Sequence, residues 1–525
     1  MIATLYLYTI GELSSYLIIK LSRQNEKTRA AMLTMVTSVI NVGIVALFGL
    51  IYTQKLMEVY GSSINGLIST LIQFVSLFTA LEGGLTTAAI VALYGPVVNQ
   101  NYKKIGLILG NMRKVFIIIG VCIAALTLPL GIVYIDIIDS PISYNQTLAM
   151  LVITIINVVI SIAFQSNFIV IFSGFNKQFI QYILSTIART ITWIAAMMLI
   201  VTNQNIVIVY LVYSTSIVLS VTFFWIWKRH SLKEVTYCRT KKLKLPNGSR
   251  DVFVQKIANT VFTSTDLVVI SAGVSLTQAS IFFVYNQIFM LLSNVLSSIA
   301  NAPANSLGHL HNDLQETHFI ERLSIYQNLI IIIASILLTS ASMSILGFIR
   351  IYTRNVSDTG YIFPVLVFLL YTQYYLIFCN RPFGTTLNIT GNFKDQNAQC
   401  IVAAIVNVFV SIILVKLLGV LGAVIGSICG VVIIFSVGLV KCVKRGLILK
   451  THKVILLLGC NYVLGLMLIY WSIFFCYFEP TNYITWGLMT LLYACIVATC
   501  YILIGIIFAK PAMVYAFNLV RRKFV

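Results

Sequence analysis

The chain has 525 residues, of which 59% are hydrophobic and only 10% charged, and its mean hydropathy is +0.95. Soluble domains carry about 25% charged residues, so this composition excludes a soluble globular protein. A formal net charge of +20 would suggest nucleic-acid binding in a soluble protein. In a membrane protein it records topology, because cytoplasmic loops collect lysine and arginine. We therefore predict an all-α polytopic membrane protein with no nucleic-acid partner.

A membrane-spanning helix needs about 20 apolar residues, and the sequence predicts fourteen of them. In chain order the predicted spans are 31–53, 64–96, 115–134, 147–172, 182–202, 206–227, 252–273, 279–305, 324–347, 361–382, 398–417, 419–440, 454–474 and 486–508. If the N-terminus is inside, the inner segments hold 29 of the 35 lysines and arginines, and the outer segments hold four. This asymmetry predicts that both termini are cytoplasmic.

Two polar segments flank the first six spans. Residues 1–30 form a predicted cytoplasmic or interfacial segment. Its first 24 residues lack the basic start of a secretory signal, and they either lie in the membrane interface or have no role. Residues 228–251 carry eight cations. They form either a solvated linker that sets orientation, or a docking site for anionic membrane lipids.

The chain shows no nucleotide-binding, hydrolase or metal-binding motif. His309 and His311 form a His-x-His pair, but no third ligand accompanies them. We therefore expect no cofactor, no metal and no enzymatic activity.

A polar hairpin occurs twice in this apolar sequence. SGFNKQ at 173–178 and TGNFKDQ at 390–396 share a glycine and a lysine 217 residues apart, and Asn41 and Asn259 are 218 apart. This spacing predicts that spans 1–6 and 7–12 are two copies of one six-helix unit in the same orientation. The predicted domains are the segment 1–30, the N-terminal lobe 31–227, the basic linker 228–251, the C-terminal lobe 252–440, and helices 13–14 with a basic tail at 441–525.

The segment 387–430, with Gly391, Asn407 and the turn 419–423, resembles the polysaccharide-flippase branch of the multidrug/oligosaccharidyl-lipid/polysaccharide exporter superfamily, whose members include O-antigen and capsule flippases. Segments 60–105 and 264–288 are similar to it as well. The resemblance implies a MATE-like fold of two pseudo-symmetric six-helix lobes, with helices 1, 2, 7 and 8 facing a central cavity. Spans 13 and 14 lie outside the repeat, and in similar lipid flippases such a pair borders a groove for the lipid tail.

Four charged residues fall inside predicted spans and more than two residues from the span ends, where each costs about 2.5–3.5 kcal/mol on insertion scales. Such residues usually face a cavity and serve function. Glu82 and Asp266 are candidates for ion coupling, although an inner-leaflet carboxylate and a hydrogen-bonded buried acid are the alternatives. Arg189 and Lys256 are candidates for binding phosphate, although either can instead extend to the headgroup layer.

Neutral amides on the helices assigned to the cavity complete the predicted substrate site. A cavity that carries sugars needs such groups for hydroxyl contacts, although interhelical hydrogen bonds are the alternative. These amides are Asn41, Gln73, Asn259, Asn286 and Gln287.

The resemblance implies an alternating-access flippase in the bacterial inner membrane. It would move undecaprenyl-diphosphate-linked oligosaccharide units of O-antigen or capsule to the outer leaflet, coupled to protons or Na+. Expected partners are this lipid-linked substrate, membrane lipids and a polysaccharide polymerase. The alternatives are a cation-coupled multidrug exporter of the same fold, a peptidoglycan-precursor flippase, and a membrane glycosyltransferase or polymerase.

Overall fold

The computed structural model describes the backbone of residues 26–82, 84–238, 249–313, 316–390, 397–475 and 479–524. Side chains are not described at 26–29, 31, 249–256, 298, 301–306, 308–313, 316–317 and 519–524. The first 25 residues of the predicted interfacial segment, residues 239–248 of the basic linker, and the side chains of His309 and His311 therefore lie outside the described residues.

The first half of the described chain consists of nine α-helices. They are α1 (Glu26–Tyr60), α2 (Ser62–Phe78), α3 (Leu85–Val98), α4 (Tyr102–Ile137), α5 (Tyr144–Ile160), α6 (Ser166–Gly174), α7 (Gln178–Val201), α8 (Ile206–Ser214) and α9 (Ser216–Ser231). A 3-10 turn, Thr79–Glu82, follows α2, and a π turn, Ser161–Gln165, joins α5 to α6.

The second half of the described chain is equally helical. Its helices are α10 (Ser249–Gly273), α11 (Leu276–Asp313), α12 (Glu316–Tyr352), α13 (Pro364–Ile389), α14 (Asn397–Leu418), α15 (Val420–Lys444), α16 (Thr451–Phe474), α17 (Tyr483–Phe508) and α18 (Lys510–Phe524). All fourteen predicted spans fall on helices. By length and composition, twelve stretches of the described residues can each cross a membrane, so the chain is a multi-pass membrane protein.

Local chemistry explains where several helices begin and end. Asn482 starts α17 with a capping box, in which its side chain accepts a hydrogen bond from the Thr485 N–H at 2.8 Å. Pro364 occupies the first turn of α13, where its missing N–H costs nothing. Gly84 has φ +77°, a conformation that glycine adopts readily, and it separates the 3-10 turn carrying Glu82 from α3. The second predicted span is thus broken beside its acid.

The described residues form two compact units. Unit 1 comprises Met1–Tyr52, Gly84–Leu126 and Val152–Ser249, and unit 2 comprises Thr53–Gly83, Thr127–Leu151 and Arg250–Val525. The predicted lobe boundaries at 31–227 and 252–440 stay a prediction.

Unit 1 has an aromatic core between α6, α7, α8 and α9. Phe172 packs edge-on against Phe224, with ring centroids 5.1 Å apart, and both side chains are almost fully buried. α3 lies against α6, where the Leu93 side chain occupies the space that a Cβ on Gly174 would need. Gly174, in the first hairpin, therefore allows two helices to approach closely.

Unit 2 contains a seam of small residues between α14 and α15. Cβ atoms on Gly422, Gly426 or Gly430 would overlap the backbone of α14 or the Ser411 side chain. Glycines at this four-residue spacing let membrane helices come into backbone contact. The Phe262 ring of α10 also lies against Gly430, so the seam fixes the distance between α10 and α15.

The last two membrane helices belong to unit 2 and pack on α12 and α13. The Tyr501 hydroxyl of α17 donates to the Asn461 carbonyl of α16 at 3.0 Å and lies 2.8 Å from the Thr339 hydroxyl of α12. The Tyr375 hydroxyl of α13 donates to the Leu458 carbonyl at 2.7 Å. These buried contacts attach α16 and α17 firmly to the second half of the chain.

Candidate functional site

Asp266 is a buried acid in the C-terminal half of α10, with 6% of its surface exposed. The Ser427 hydroxyl of α15 lies 2.8 and 2.7 Å from its two carboxylate oxygens. The same hydroxyl lies 3.3 Å from Asn407 Oδ1, and Asn407 Nδ2 donates to the Phe262 carbonyl at 3.2 Å. Ser427 reaches Asp266 because the glycine seam brings α15 close to its neighbours.

Asp266 borders a cavity of about 370 Å³ within unit 2. This volume lies within the range of about 300–1,000 Å³ that is typical of small-molecule sites. We name it the unit 2 cavity, and its lining residues are Asn259, Phe262, Thr263, Asp266, Asn286, Met290, Ser293, Asn294, Gln373, Tyr374, Ile377, Asn380, Arg381, Val431 and Ile434. Three of the predicted site residues, Asn259, Asp266 and Asn286, meet there.

Arg381 supplies the cation of the unit 2 cavity. Its Nη2 donates to the Ser293 hydroxyl of α11 at 2.9 Å. Neither Arg381 nor Asp266 belongs to any ion pair found among the described residues. A guanidinium held by a neutral hydroxyl keeps donors for an anionic ligand, and its planar fork suits phosphate or carboxylate.

Several polar atoms of the cavity-lining residues have no hydrogen-bond partner within the part of the chain that the structure describes. They are Gln373 Oε1, Asn380 Oδ1 and Arg381 Nε, all buried. By contrast, the Tyr374 hydroxyl donates to Asn286 Oδ1 at 2.7 Å, which orients that amide. Buried polar groups are usually paired with protein or water, and these three atoms are exceptions among the described residues.

The sequence analysis missed Arg381, because it lies one residue from the end of the predicted span 361–382 and was counted among the cytoplasmic cations. The following residue, Pro382, lies inside α13. α13 continues to Ile389, eight residues beyond Arg381, or about 12 Å at the usual helical rise. Proline is tolerated inside membrane helices when neighbouring groups satisfy the freed carbonyl, and this tolerance was the signal that could have found Arg381.

The opposite side of α10 borders an apolar groove of about 530 Å³. Its lining comes from α10 and α14 alone: Ile257, Ala258, Val261, Ile401, Ala404, Ile405, Val408, Phe409 and Ile412. One helix thus separates a polar cavity from an apolar groove. No residue of α16 or α17 lines this groove, and the tail groove predicted beside spans 13 and 14 stays a prediction.

A hydrogen-bonded latch joins α2, α11 and the loop before α13 within unit 2. The Ser62 N–H and hydroxyl donate to the two Asp358 carboxylate oxygens at 2.6 and 2.7 Å. The Tyr361 hydroxyl donates to Ser62 Oγ at 2.7 Å, and Asn65 Nδ2 donates to Ser280 Oγ at 2.7 Å. These residues lie at the ends of the spans that the charge pattern predicts to be outside.

Close backbone contact reinforces this latch. A Cβ on Gly66 would overlap the Leu276 carbonyl, and the Ser63 and Thr277 hydroxyls lie 2.8 Å apart. Burial raises the pKa of the Tyr361 phenol, which therefore stays a neutral hydrogen-bond donor. The N-terminal ends of α2 and α11 are in direct contact in this structure.

Two predicted site residues belong to unit 1 and do not line the unit 2 cavity. Asn41 Nδ2 donates to the Thr186 hydroxyl. Arg189, one helical turn further along α7, interacts electrostatically with Tyr213, whose ring stacks on Tyr52 with centroids 4.5 Å apart. The roles predicted for Asn41 and Arg189 stay predictions.

The remaining predicted site residues lie in unit 2 outside the cavity lining. Gln73 accepts a hydrogen bond from the Ser76 hydroxyl at 3.2 Å. Gln287 has a buried Oε1 with no partner among the described residues. Glu82 is half-buried on the 3-10 turn, and the Lys256 side chain lies outside the described residues. Their predicted roles also stay predictions.

No protein-family model and no curated protein sequence matches the chain, but solved structures do. The lipid II flippase MurJ, in an inward closed conformation, aligns with a TM-score of 0.67 at 15% identity, covering 91% of this chain and 99% of its own. A multidrug resistance MATE family transporter of the MOP superfamily, in an inward-facing conformation, aligns with a TM-score of 0.59 at 15% identity, covering 78% and 98%. A MOP superfamily transporter from Pyrococcus furiosus aligns with a TM-score of 0.51 at 13% identity, covering 86% and 98%.

These alignments confirm the predicted fold class. The chain is an all-α multi-pass membrane protein whose fold is similar to those of these transporter structures.

Proposed function

We propose that the protein is a flippase that moves a polyprenyl-diphosphate-linked oligosaccharide, of the O-antigen or capsule type, from the cytoplasmic to the outer leaflet of a bacterial inner membrane. The observation that carries this proposal is the unit 2 cavity, where Arg381 and the amide residues Asn259, Asn286 and Gln373 line the same space as Asp266. A diphosphate needs cationic donors and a sugar needs amides and hydroxyls. Both kinds of group are costly in a bilayer without a ligand to use them.

The arrangement around α10 supports an amphipathic cargo. Asn259, Thr263 and Asp266 line the cavity, whereas Ala258 and Val261 line the apolar groove. A lipid-linked sugar has to place its headgroup in a polar space while its tail stays among apolar side chains. The two faces of one helix provide both surfaces side by side.

The latch supports alternating access from the cytoplasmic side. With Ser62 bonded to Asp358 and Gly66 against Leu276, release to the outer leaflet requires these contacts to break. We propose that substrate binding at Arg381, together with protonation or Na+ binding at Asp266, provides the free energy for this step. A polysaccharide polymerase is the proposed partner on the outer side.

A cation-coupled multidrug exporter is the second candidate, supported by the MATE-like fold. One experiment separates the two. The purified chain is reconstituted in liposomes with a fluorescent undecaprenyl-diphosphate-linked saccharide, or with ethidium, and the outward-exposed probe is measured over time. The first proposal expects lipid translocation that Arg381→Gln reduces at least tenfold. Ethidium transport without lipid translocation would instead support the exporter, and no transport of either probe would overturn both.

A further inference from the structure

Unit 1 contains a second cavity, of about 750 Å³, which has no part in the proposed transport site. We name it the basic pocket. It is lined by residues of α4, the π turn, α6, α9 and the segment after α9: Arg113, Ala163, Phe164, Asn167, Phe168, Val221, Thr222, Trp225, Lys228, Arg229, Leu232, Lys233, Val235, Thr236 and Tyr237. Four of these side chains are cations and none is an acid.

One wall of the basic pocket is the segment 232–238, which lies along α4. The Cys238 N–H donates to the Gly106 carbonyl at 3.0 Å. Cβ atoms on Gly106 or Gly110 would overlap the carbonyls of Thr236 and Cys238. Gly106 and Gly110 therefore let the segment 232–238 pack against the backbone of α4, and a larger residue at either position would displace it.

Tyr237 is the centre of the polar network in the basic pocket. Its hydroxyl donates to Asn167 Oδ1 at 3.3 Å, and Asn167 Nδ2 donates to the Leu109 carbonyl of α4 at 3.2 Å. Burial raises the pKa of Tyr237 to about 12, so the ring stays neutral and keeps its proton. The tyrosine is thus held in one orientation by groups on two helices.

Two cations share the ring of Tyr237. Lys228 Nζ lies 3.8 Å and Arg113 Cζ lies 5.2 Å from its centroid. Arg229 lies over Trp225, with Cζ 5.4 Å from the ring centroid. None of the ion pairs found among the described residues includes a cation of this pocket. Like charges gathered without a carboxylate repel one another, and an anionic ligand would relieve that repulsion.

The rim of the basic pocket is apolar and exposed. Phe164 is 40% exposed and Trp225 51% exposed, and both belong to stretches long and apolar enough to cross the membrane. Tryptophan near the end of a membrane helix is typical of the headgroup layer. The pocket therefore joins a cationic floor to a surface suited to acyl chains, at the side predicted to be cytoplasmic.

We propose that the basic pocket binds the phosphate headgroup of an anionic glycerophospholipid, with the acyl chains lying against Phe164 and Trp225. Basic pockets between membrane helices on the cytoplasmic side suit such lipids. The site is separate from the unit 2 cavity in its residues and its ligand, and the proposal does not rest on the proposed function.

The test uses the purified full-length chain in nanodiscs of zwitterionic phosphatidylcholine, titrated with phosphatidylglycerol and followed by native mass spectrometry and thermal unfolding. The variant is Arg113→Gln/Lys228→Gln. Its matched control is Lys103→Gln/Lys104→Gln, which removes two exposed cations of α4 that do not line the pocket. We expect saturable binding of phosphatidylglycerol that raises the unfolding temperature, weakened about 30-fold by the pocket variant and less than threefold by the control.

Three results would overturn the proposal. One is equal affinity for phosphatidylglycerol and phosphatidylcholine, and another is equal loss in the two double variants, which would indicate a general basic surface. The third is displacement of the lipid by micromolar undecaprenyl diphosphate or inorganic pyrophosphate, which would assign the pocket to a diphosphate. Arg113→Lys/Lys228→Arg guards against misfolding, because it should retain lipid binding if the charges, and not the packing, are what matters.

Discussion

Ser62 and Asp358 are 296 residues apart in the chain, yet both carboxylate oxygens of Asp358 accept hydrogen bonds from Ser62, one from its N–H and one from its hydroxyl. The N–H belongs to the first residue of α2, where a carboxylate is also favoured by the helix dipole. This relationship connects the first half of the chain to the second at the ends of their helices.

The latch predicts that locking the outer side stops transport. In Ser63→Cys/Thr277→Cys the two thiols replace hydroxyls 2.8 Å apart, and oxidation should join α2 to α11. We expect oxidised protein to translocate no lipid-linked saccharide in liposomes and to recover after reduction. Each single cysteine variant is the control. Full transport by the cross-linked protein would show that the outer ends of these helices need not separate.

We predict that lipid translocation requires the guanidinium of Arg381 in the unit 2 cavity. Arg381→Gln should lower lipid translocation at least tenfold, and Arg381→Lys should recover part of it, because an ammonium keeps the charge but loses the planar fork. Arg322→Gln is the matched control, since Arg322 is exposed and lies over Tyr515, 5.9 Å from the ring centroid. Equal effects of Arg381→Gln and Arg322→Gln would remove Arg381 from the site.

We predict that the Asp266 carboxylate couples transport to an ion gradient. Asp266→Asn keeps a side-chain oxygen for the Ser427 hydroxyl but cannot exchange a proton. We expect the variant to fold and to lose the response of transport to an imposed pH or Na+ gradient. The measurement is the initial transport rate with and without each gradient, with Asp136→Asn, an exposed acid, as the control. An unchanged gradient response in Asp266→Asn would assign coupling to another residue, and Glu82 would be the next to test.

The phosphate-binding role predicted for Arg189 from the sequence stays a prediction and can be tested independently. Arg189→Ala should lower the export of surface polysaccharide in cells while the protein still inserts in the membrane. Arg189→Lys keeps the charge beside Tyr213 and should export more than the alanine variant. Normal polysaccharide in cells that carry Arg189→Ala would exclude this residue from the mechanism.

We predict that substituting Gly84 lowers stability through backbone conformation alone. Its φ of +77° costs an L-residue about 1–2 kcal/mol, so Gly84→Ala should lower the free energy of unfolding by about that amount. Gly95→Ala in α3 is the matched control. A Cβ there meets nothing within 4 Å, and alanine favours a helix by about 1 kcal/mol over glycine. The measurement is thermal unfolding in detergent, where Gly84→Ala should melt at a lower temperature than Gly95→Ala. Equal melting temperatures of the two variants would contradict the strain predicted for an L-residue at position 84.

Part of the candidate site was predictable from the sequence, because a polar residue inside an apolar span can be recognised from that span alone. Asp266, Asn259 and Asn286 stand out as polar residues in apolar spans, and all three line the unit 2 cavity. Arg381 was missed because the sequence analysis placed it at the end of its span. Only the continuation of α13 past Pro382, which neighbouring helices make possible, brings it into the cavity.

The sequence by itself determined the class of the molecule. Apolar runs of membrane-spanning length predict an all-α polytopic membrane protein, because backbone polar groups in hydrocarbon must be paired internally and a helix pairs them within its own segment. Only the tertiary structure decided which polar residues share a space. Ser427 meets Asp266, and Arg381 meets Ser293, through contacts between helices that are distant in the chain. The first contact depends on close packing at the glycines of α15, and no local sequence pattern specifies either partner.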